Sequence, residues 1–338
     1  MSVSVARISG ETLSTACDQR MFPDPVGHSG AVTPDRRALA TVALACLLLT
    51  GIAACSEPEA TDPAVSSRGP AAAPAPSGTA LSEADRTEAL AQASSGLEAV
   101  LSHDYAAYDD VLDEAAPFLS PRLASELEQL HEKTDQQVRK SRTSTEFTVV
   151  DKAVITGAGD TIKLLVFGNQ VRRPKGQNPR LEAVTLFVTM TETNDEWLIE
   201  DLEGDGPVTD PDPDPERAEV ADAASEFATA FNNIDHRTMD TDTEKVTELS
   251  TGRFRETYTE GLPSLKKLLR ANRSVMQAEV TAAAVKDLSG DRATVLVATT
   301  GTVTNRTARK PVDRTQRLLV SLVNEDSAWL VDDLTYVS

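Results

Sequence analysis

The segment Trp197-Leu198-Ile199-Glu200-Asp201-Leu202 returns as Trp329-Leu330-Val331-Asp332-Asp333-Leu334, 132 positions later, and the two copies hold the chain's only two tryptophans. Each copy closes a block rich in alternating apolar residues, the period-two signature of half-buried strands. The chain therefore reads as two versions of one unit.

Working back from each copy, the same elements recur. Val184, Leu186, Val188 and Met190 alternate with polar or mixed positions, and Leu318, Val320 and Leu322 repeat the last three of them. Asp160 to Phe167 aligns with Asp291 to Ala298, each preceded by a glycine turn, and Phe147 and Val149 align with Ala278 and Val280. Upstream lie helices. Ser120-Pro121-Arg122-Leu123 and Thr251-Gly252-Arg253-Phe254 read as helix starts with Ser120 and Thr251 as N-caps. Short acidic segments precede them, Asp104 to Glu114 and Asp235 to Glu244, each a second helix or turn. Ser82-Glu83-Ala84-Asp85 is a capping-box start, followed by a face of Leu90, Leu97 and Leu101; Val220, Phe227 and Phe231 form the matching face. Helices followed by about four antiparallel strands, twice over, predict the α+β class. The expected organisation is a signal segment over 1–55, a linker over 56–79, domains over 80–203 and 216–338, and an acidic Pro-rich spacer over 204–215.

This pattern resembles the NTF2-like (SnoaL, ketosteroid-isomerase-like) cone fold, in which N-terminal helices pack on a curved antiparallel sheet. It is most similar to the Mce-associated proteins of actinobacteria. The second copy carries the resemblance best, through Asp235-His236, Thr251-Gly252-Arg253-Phe254, Gly290-Asp291-Arg292-Ala293 and Trp329 to Leu334. The first keeps Asp104-Tyr105 and Trp197 to Leu202, with Ser120-Pro121 in place of Thr-Gly. The chain departs from the family in its doubled domain and in its anchor. The resemblance implies a non-enzymatic accessory role beside Mce-type lipid-import machinery at the cell envelope, with Mce-complex proteins and lipid as partners.

Composition narrows the alternatives. A net charge of −20 argues against nucleic acid, which requires a basic face to displace counterions. Aromatic residues make up 4%, so the cores rest on Leu, Val, Ile and Ala. The three cysteines, Cys17, Cys46 and Cys55, all precede the repeats, which excludes a disulfide framework or Cys-based metal site there. Arg36-Arg37 precede an apolar run from Ala38 to Ala54 that ends Ile52-Ala53-Ala54-Cys55. This resembles a lipobox, with Cys55 as the lipid-attachment site; an uncleaved N-terminal transmembrane helix is the competing reading. Both readings place the rest outside the cytoplasm, anchored to the cytoplasmic membrane. Starts at Met21 or Val32 would give a more ordinary leader than Met1. Ser56 to Thr79, rich in Ala, Pro and Ser, reads as a stalk.

An isomerase of this fold needs a carboxylate base aimed into an apolar cone. The candidates are Glu200 with Asp201 and Asp332 with Asp333. Strict alternation puts Asp201 and Asp333 on the tryptophan face and Glu200 and Asp332 opposite. Tyr105 and Tyr108 are candidate donors, more simply read as packing residues. His103, His131 and His236 are scattered for a metal triad, and Asp240-x-Asp242-x-Glu244 has Lys245 where an EF-hand loop needs glycine. Asp210 to Pro215, acidic with alternating prolines, reads as a solvated spacer. No catalytic residue, cofactor site or metal site is assigned. The turns between the middle strands are basic in both copies: Arg172, Arg173, Lys175 and Arg180, then Arg306, Arg309, Lys310 and Arg314. These tips are the candidate contacts with anionic headgroups or an acidic partner. Beside the accessory role stand two alternatives, a carrier of lipid or a small apolar ligand in the cone, and a SnoaL-type enzyme.

Overall fold

Two hairpin turns set the register of each repeat. Gly159-Asp160 and Gly290-Asp291 close the first hairpins, with the glycines at φ +63° and +60°. Asn194-Asp195 (φ 56° and 63°) and Asp326-Ser327 (φ 51° and 68°) launch the tryptophan strands. Paired positive φ in a two-residue loop matches the right-handed twist of the strands it joins.

A computed structural model describes residues 81–204 and 211–338, together with the backbone of a two-residue strand at Ala6–Arg7. The expected leader, Cys55 and the stalk lie outside these residues. Among the described residues no helix is long and apolar enough to cross a membrane.

The first half runs α1 (Glu83–Leu101), α2 (Asp110–Ala115), a 3₁₀ turn (Ala116–Phe118), α3 (Pro121–Ser141), β1 (Thr143–Ala158), β2 (Thr161–Pro174), β3 (Arg180–Thr193) and β4 (Glu196–Glu203). The second runs α4 (Pro215–Asn232), α5 (Met239–Glu248), α6 (Gly252–Asn272), β5 (Val275–Ser289), β6 (Arg292–Thr304), β7 (Val312–Glu325) and β8 (Ala328–Tyr336). Ile234–Asp235 adds a short strand beside β5. The expected α+β order is present twice, with helices packed against a curved antiparallel sheet.

The Ser82 capping box forms as the sequence predicts, with Asp85 N–H donating to Ser82 Oγ and Ser82 N–H donating to Asp85. The buried face of α1 is made of smaller residues than the leucine periodicity suggests: Ala89, Ala93, Gly96 and Leu97. A methyl at Gly96 would lie 2.7 Å from Ile199 and from Phe118, so this glycine is what lets α1 lie close on β4. Both third helices end on a left-handed arginine, Arg142 at φ 49° and Arg273 at φ 52°, before turning into the first strand of each half.

The strands form one continuous sheet in the order β8-β7-β6-β5-β1-β2-β3-β4. The halves join where β1 meets β5 antiparallel, with Val154 opposite Val285. These two valines are equivalent in the repeat, so the pairing defines a pseudo-twofold axis through the seam. The bulges obey it too: the register shifts after Val149 and Val154 in β1 and after Val280 and Val285 in β5. Paired bulges deepen curvature. In a flat sheet β7 and β2 would lie four strands apart, about 19 Å. Instead the Arg317 guanidinium of β7 sits 5.5 Å from the centre of the Phe167 ring of β2. The sheet thus folds over the seam and brings its two wings face to face.

Three apolar layers follow. One lies under α1–α3 and contains Leu97, Leu123, Ile162, Leu164 and Trp197. Its counterpart lies under α4–α6 around Phe227, Phe254, Tyr258, Val295 and Trp329. The third lies between the wings and takes Ala153, Leu165, Phe167, Ala284 and Leu296 from both halves.

The described end of the spacer, residues 211–215, departs from its expected solvated state at Asp212. Asp212 is buried, and Arg86 donates to both of its oxygens (3.1 and 3.4 Å) while Arg217 Nε lies 3.5 Å away. Arg86 and Arg217 are repeat equivalents. A single carboxylate from the spacer is shared by two symmetry-related arginines, and Arg217 also donates to the Val285 carbonyl at the seam. Burial, and then the charge of Arg86, lower the Arg217 guanidinium from its ordinary value. Thr156 donates to the Pro211 carbonyl, which holds this residue against the first half. Lys286 crosses the seam to Asp151 at 2.8 Å.

Removing the shared carboxylate leaves two buried cations facing one another. Asp212→Ala is expected to cost about 3–5 kcal/mol, the range for breaking a buried ion pair from one side. Urea denaturation followed by tryptophan fluorescence checks this, and a loss under about 1 kcal/mol would mean that the clasp is not formed.

Candidate functional site

The acidic pairs of the two tryptophan strands are the first candidates. Trp197 and Trp329 are buried packing anchors. The alternation expected after them does not persist. In β4, Met190 pairs with Ile199 and Thr189 with Asp201, leaving Glu200 as an extra residue; in β8, Leu322 pairs with Val331 and Ser321 with Asp333, leaving Asp332 extra. Each motif thus carries a β-bulge at its first acidic residue. The buried positions run Trp197, Ile199, Leu202 and Trp329, Val331, Leu334. Asp201 and Asp333 are therefore not on the tryptophan face, because the bulge shifts the parity and hands that face to the leucine.

The bulged carboxylates meet the start of the third helix of their own half. Glu200 accepts from the Arg122 side chain, which also donates to the Glu200 carbonyl. Burial alone would raise the Glu200 carboxyl; the hydrogen bonds from Ser120 and Arg122 outweigh it and leave it below the usual value. Asp201 accepts from the Leu202 N–H. In the second half Asp332 approaches so closely that a Cβ on Gly252 would lie 2.0 Å from its Oδ1. Gly252 also has φ +49°. Thr251, expected as the N-cap, instead donates its hydroxyl to Glu325, whereas Ser120 caps as expected by accepting from the Leu123 N–H. The two variants are self-consistent. Ser-Pro goes with the longer glutamate, which reaches outward to Arg122, and Thr-Gly goes with the shorter aspartate, which needs the space of a missing side chain.

The other candidates are placed as follows. Tyr108 stacks on His131 at 4.3 Å between ring centres and meets the edge of His103 at 5.2 Å, and its hydroxyl bonds to Thr134. Tyr105 is half-buried. His103 and His131, far apart in sequence, are thus brought onto one tyrosine, while His236 lies in the other half against Asp235 at 3.2 Å. Burial, and then the charge of Arg172, push the His103 imidazole down. Asp109, His131 and Asp135 gather with ligand atoms within 4.8 Å of one another, a grouping that sequence spacing does not announce. Arg139 bridges both carboxylates, at 2.7 Å from Asp109 and 2.5 Å from Asp135. A guanidinium already supplies the positive charge that this group calls for. Asp240 is held by Lys266 and Arg270, and Asp242 accepts from the Asp235 N–H and the Thr238 hydroxyl, so these acids stabilise α5 and its neighbours.

The basic tips divide. Arg172 pairs with Glu182 at 3.3 Å and Arg173 with Glu146 at 2.7 Å, and Arg306 donates to the Ala271 carbonyl. Lys175, Arg180, Arg309 and Lys310 are exposed. Beside these tips stand the exposed large apolar residues Leu181 (67%) and Val312 (49%), one position out of register with each other in the repeat. Each tip lies level with the start of its own first strand, Thr143 opposite Pro174 and Val275 opposite Thr304. Since β1 and β5 run antiparallel, the two tips project from opposite ends of the sheet.

Residues 213–338 match the family described as "Uncharacterized protein Rv1363c/MT1408-like". The second half is similar to that family. "Uncharacterized protein Rv1363c" of Mycobacterium tuberculosis is 28% identical over 120 residues, which cover 36% of this chain and 46% of that protein. The match therefore spans about half the length of that relative. Among solved structures, similarity is found to an IcmL-like type IV secretion system protein of Legionella pneumophila (13% identity, TM-score 0.32, 37% of this chain and 95% of that chain). It extends to an NTF2-like protein involved in plasmid conjugation (12%, 0.26, 74% and 96%). A ketosteroid isomerase-like protein of Erwinia carotovora atroseptica is also similar (21%, 0.27, 37% and 98%).

Two measurements check the local geometry. Gly252→Ala is expected to destabilise by at least about 1 kcal/mol, from left-handed strain alone. Adding Asp332→Ala to that variant is expected to restore part of the loss, and strictly additive effects in the double-mutant cycle would exclude the contact.

The second concerns Asp235, whose carboxyl is held down to about 2 by hydrogen bonds from Arg237. A depressed folded-state value stabilises above the unfolded value near 3.8 and is lost as pH falls through about 2. Asp235→Asn is expected to lower stability at pH 5–7 and to match the parent at about pH 2. Parallel denaturation curves at the two pH values read this out.

Proposed function

We propose that the chain is a non-enzymatic accessory protein, held outside the cytoplasm by a lipid on Cys55 or by an N-terminal helix, that acts beside an envelope lipid transporter of the Mce type. One observation carries the non-enzymatic part. Among the described residues the one buried carboxylate is Asp212, and two arginines occupy it. An isomerase-type base needs a carboxylate in apolar surroundings with its proton affinity raised. The motif carboxylates serve helix starts instead, and a carboxylate neutralised by guanidinium groups is a poor base. The paired repeat supports an assembly role, because it presents equivalent loops, each with cations and one exposed apolar side chain, at opposite ends of one continuous sheet. Such a shape suits bridging two partners better than lying flat on one membrane.

The test is fractionation with co-purification. The full-length chain is expected in the membrane fraction, together with proteins of a lipid-import complex after mild crosslinking. Cys55→Ala is expected to abolish lipid labelling and release the chain if the lipid is the anchor. Recovery of the parent chain as an unanchored protein without envelope partners would overturn the proposal.

A further inference from the structure

Arg317 stands apart from the other buried arginines. Arg86 and Arg217 share Asp212, whereas Arg317, 7% exposed, has no hydrogen-bond partner on Nη1 or Nη2. Its sole described companion is the Phe167 ring across the fold of the sheet. Burial alone lowers this guanidinium to about 10. A cation–π contact offsets only a part of the cost of removing a guanidinium from water.

The fold does not require a charge here. Arg317 lies opposite Ala298 in its ladder, and the equivalent pair in the first half is Thr185 opposite Phe167. The first half thus builds the same layer with a neutral threonine. The Phe167 ring that it faces belongs to an apolar layer drawn from both wings, with Leu165, Phe187 and Leu296 and with Leu319 packed against it. A planar fork of donors in such a layer matches a carboxylate or phosphate bidentately. A small hydrated anion would gain nothing from the apolar walls, whereas an anion with a hydrocarbon tail would satisfy both.

We propose that Arg317 is the headgroup anchor of a site for an amphipathic anion, a carboxylate or phosphate monoester carrying a hydrocarbon chain, between the two wings of the sheet. The site is separate from the helix-covered interior of either half. Entry requires the wings to part on the side away from the Val154–Val285 seam. The proposal stands independently of the accessory role.

The probes are oleate, its uncharged methyl ester and inorganic phosphate, added to the full-length chain and read by native mass spectrometry and tryptophan-fluorescence titration. Oleate is expected to bind one-to-one. Methyl oleate and phosphate are each expected to bind at least about tenfold more weakly, since a charge-assisted pair or the tail contact is missing. Arg317→Met is expected to lose oleate by a similar factor without a fall in unfolding midpoint, because it removes an uncompensated buried charge. Should that variant fail to fold, Arg317→Gln takes its place. Equal oleate binding by parent and variant, methyl oleate binding as tightly as oleate, or no oleate binding by the parent would each overturn the assignment. Phosphate binding as tightly as oleate would also overturn it, by showing that the tail contributes nothing.

Discussion

The architecture depends on one antiparallel contact, Val154 against its own repeat equivalent Val285. An antiparallel pair of equivalent residues imposes a twofold relation on everything attached to it. The bulges, the left-handed helix ends, the glycine turns and the tryptophan strands all follow in matched positions. The same relation brings Arg86 and Arg217 to the spacer. One carboxylate, Asp212, then neutralises what would otherwise be two buried like charges. Residues 211–215 are therefore a structural strap, in which prolines on either side of Asp212 stiffen the path that carries the required charge.

The repeated acidic motif is explained by the same economy of backbone. A bulge at the first acidic residue turns its carboxylate toward the start of the third helix and returns the following leucine to the core. Glu200 and Asp332 do this in different ways, and the helix-start residues differ accordingly: Pro121 tolerates the long route through Arg122, whereas Gly252 makes room for the short one. Sequence variation between the copies is thus correlated across strand and helix, with each variant locally complete.

Departures from the pseudosymmetry are where function is to be sought. The halves share the order of their main helices and strands and differ in a few buried side chains. Thr185 and Arg317 occupy equivalent places, yet one is neutral and the other is a cation without an acceptor. The Tyr108 ring, stacked on His131 and edge-on to His103, belongs to the first half, and the aromatic cluster of Phe227, Phe231, Phe254 and Tyr258 to the second.

The sequence by itself determined the repetition, the α+β class, the helix starts at Ser82 and Ser120 and the glycine hairpin turns. Each of these is written in short-range periodicity and in residues whose conformational preference is local. Only the tertiary structure decided where the carboxylates point, because a single bulged residue reverses strand parity without leaving a compositional mark. It alone placed Asp212 between two arginines 126 positions or fewer away, since a buried ion pair and a solvated acidic spacer have the same local sequence. It alone set Arg317 against Phe167, a contact that exists because the sheet folds over a seam between strands from different halves.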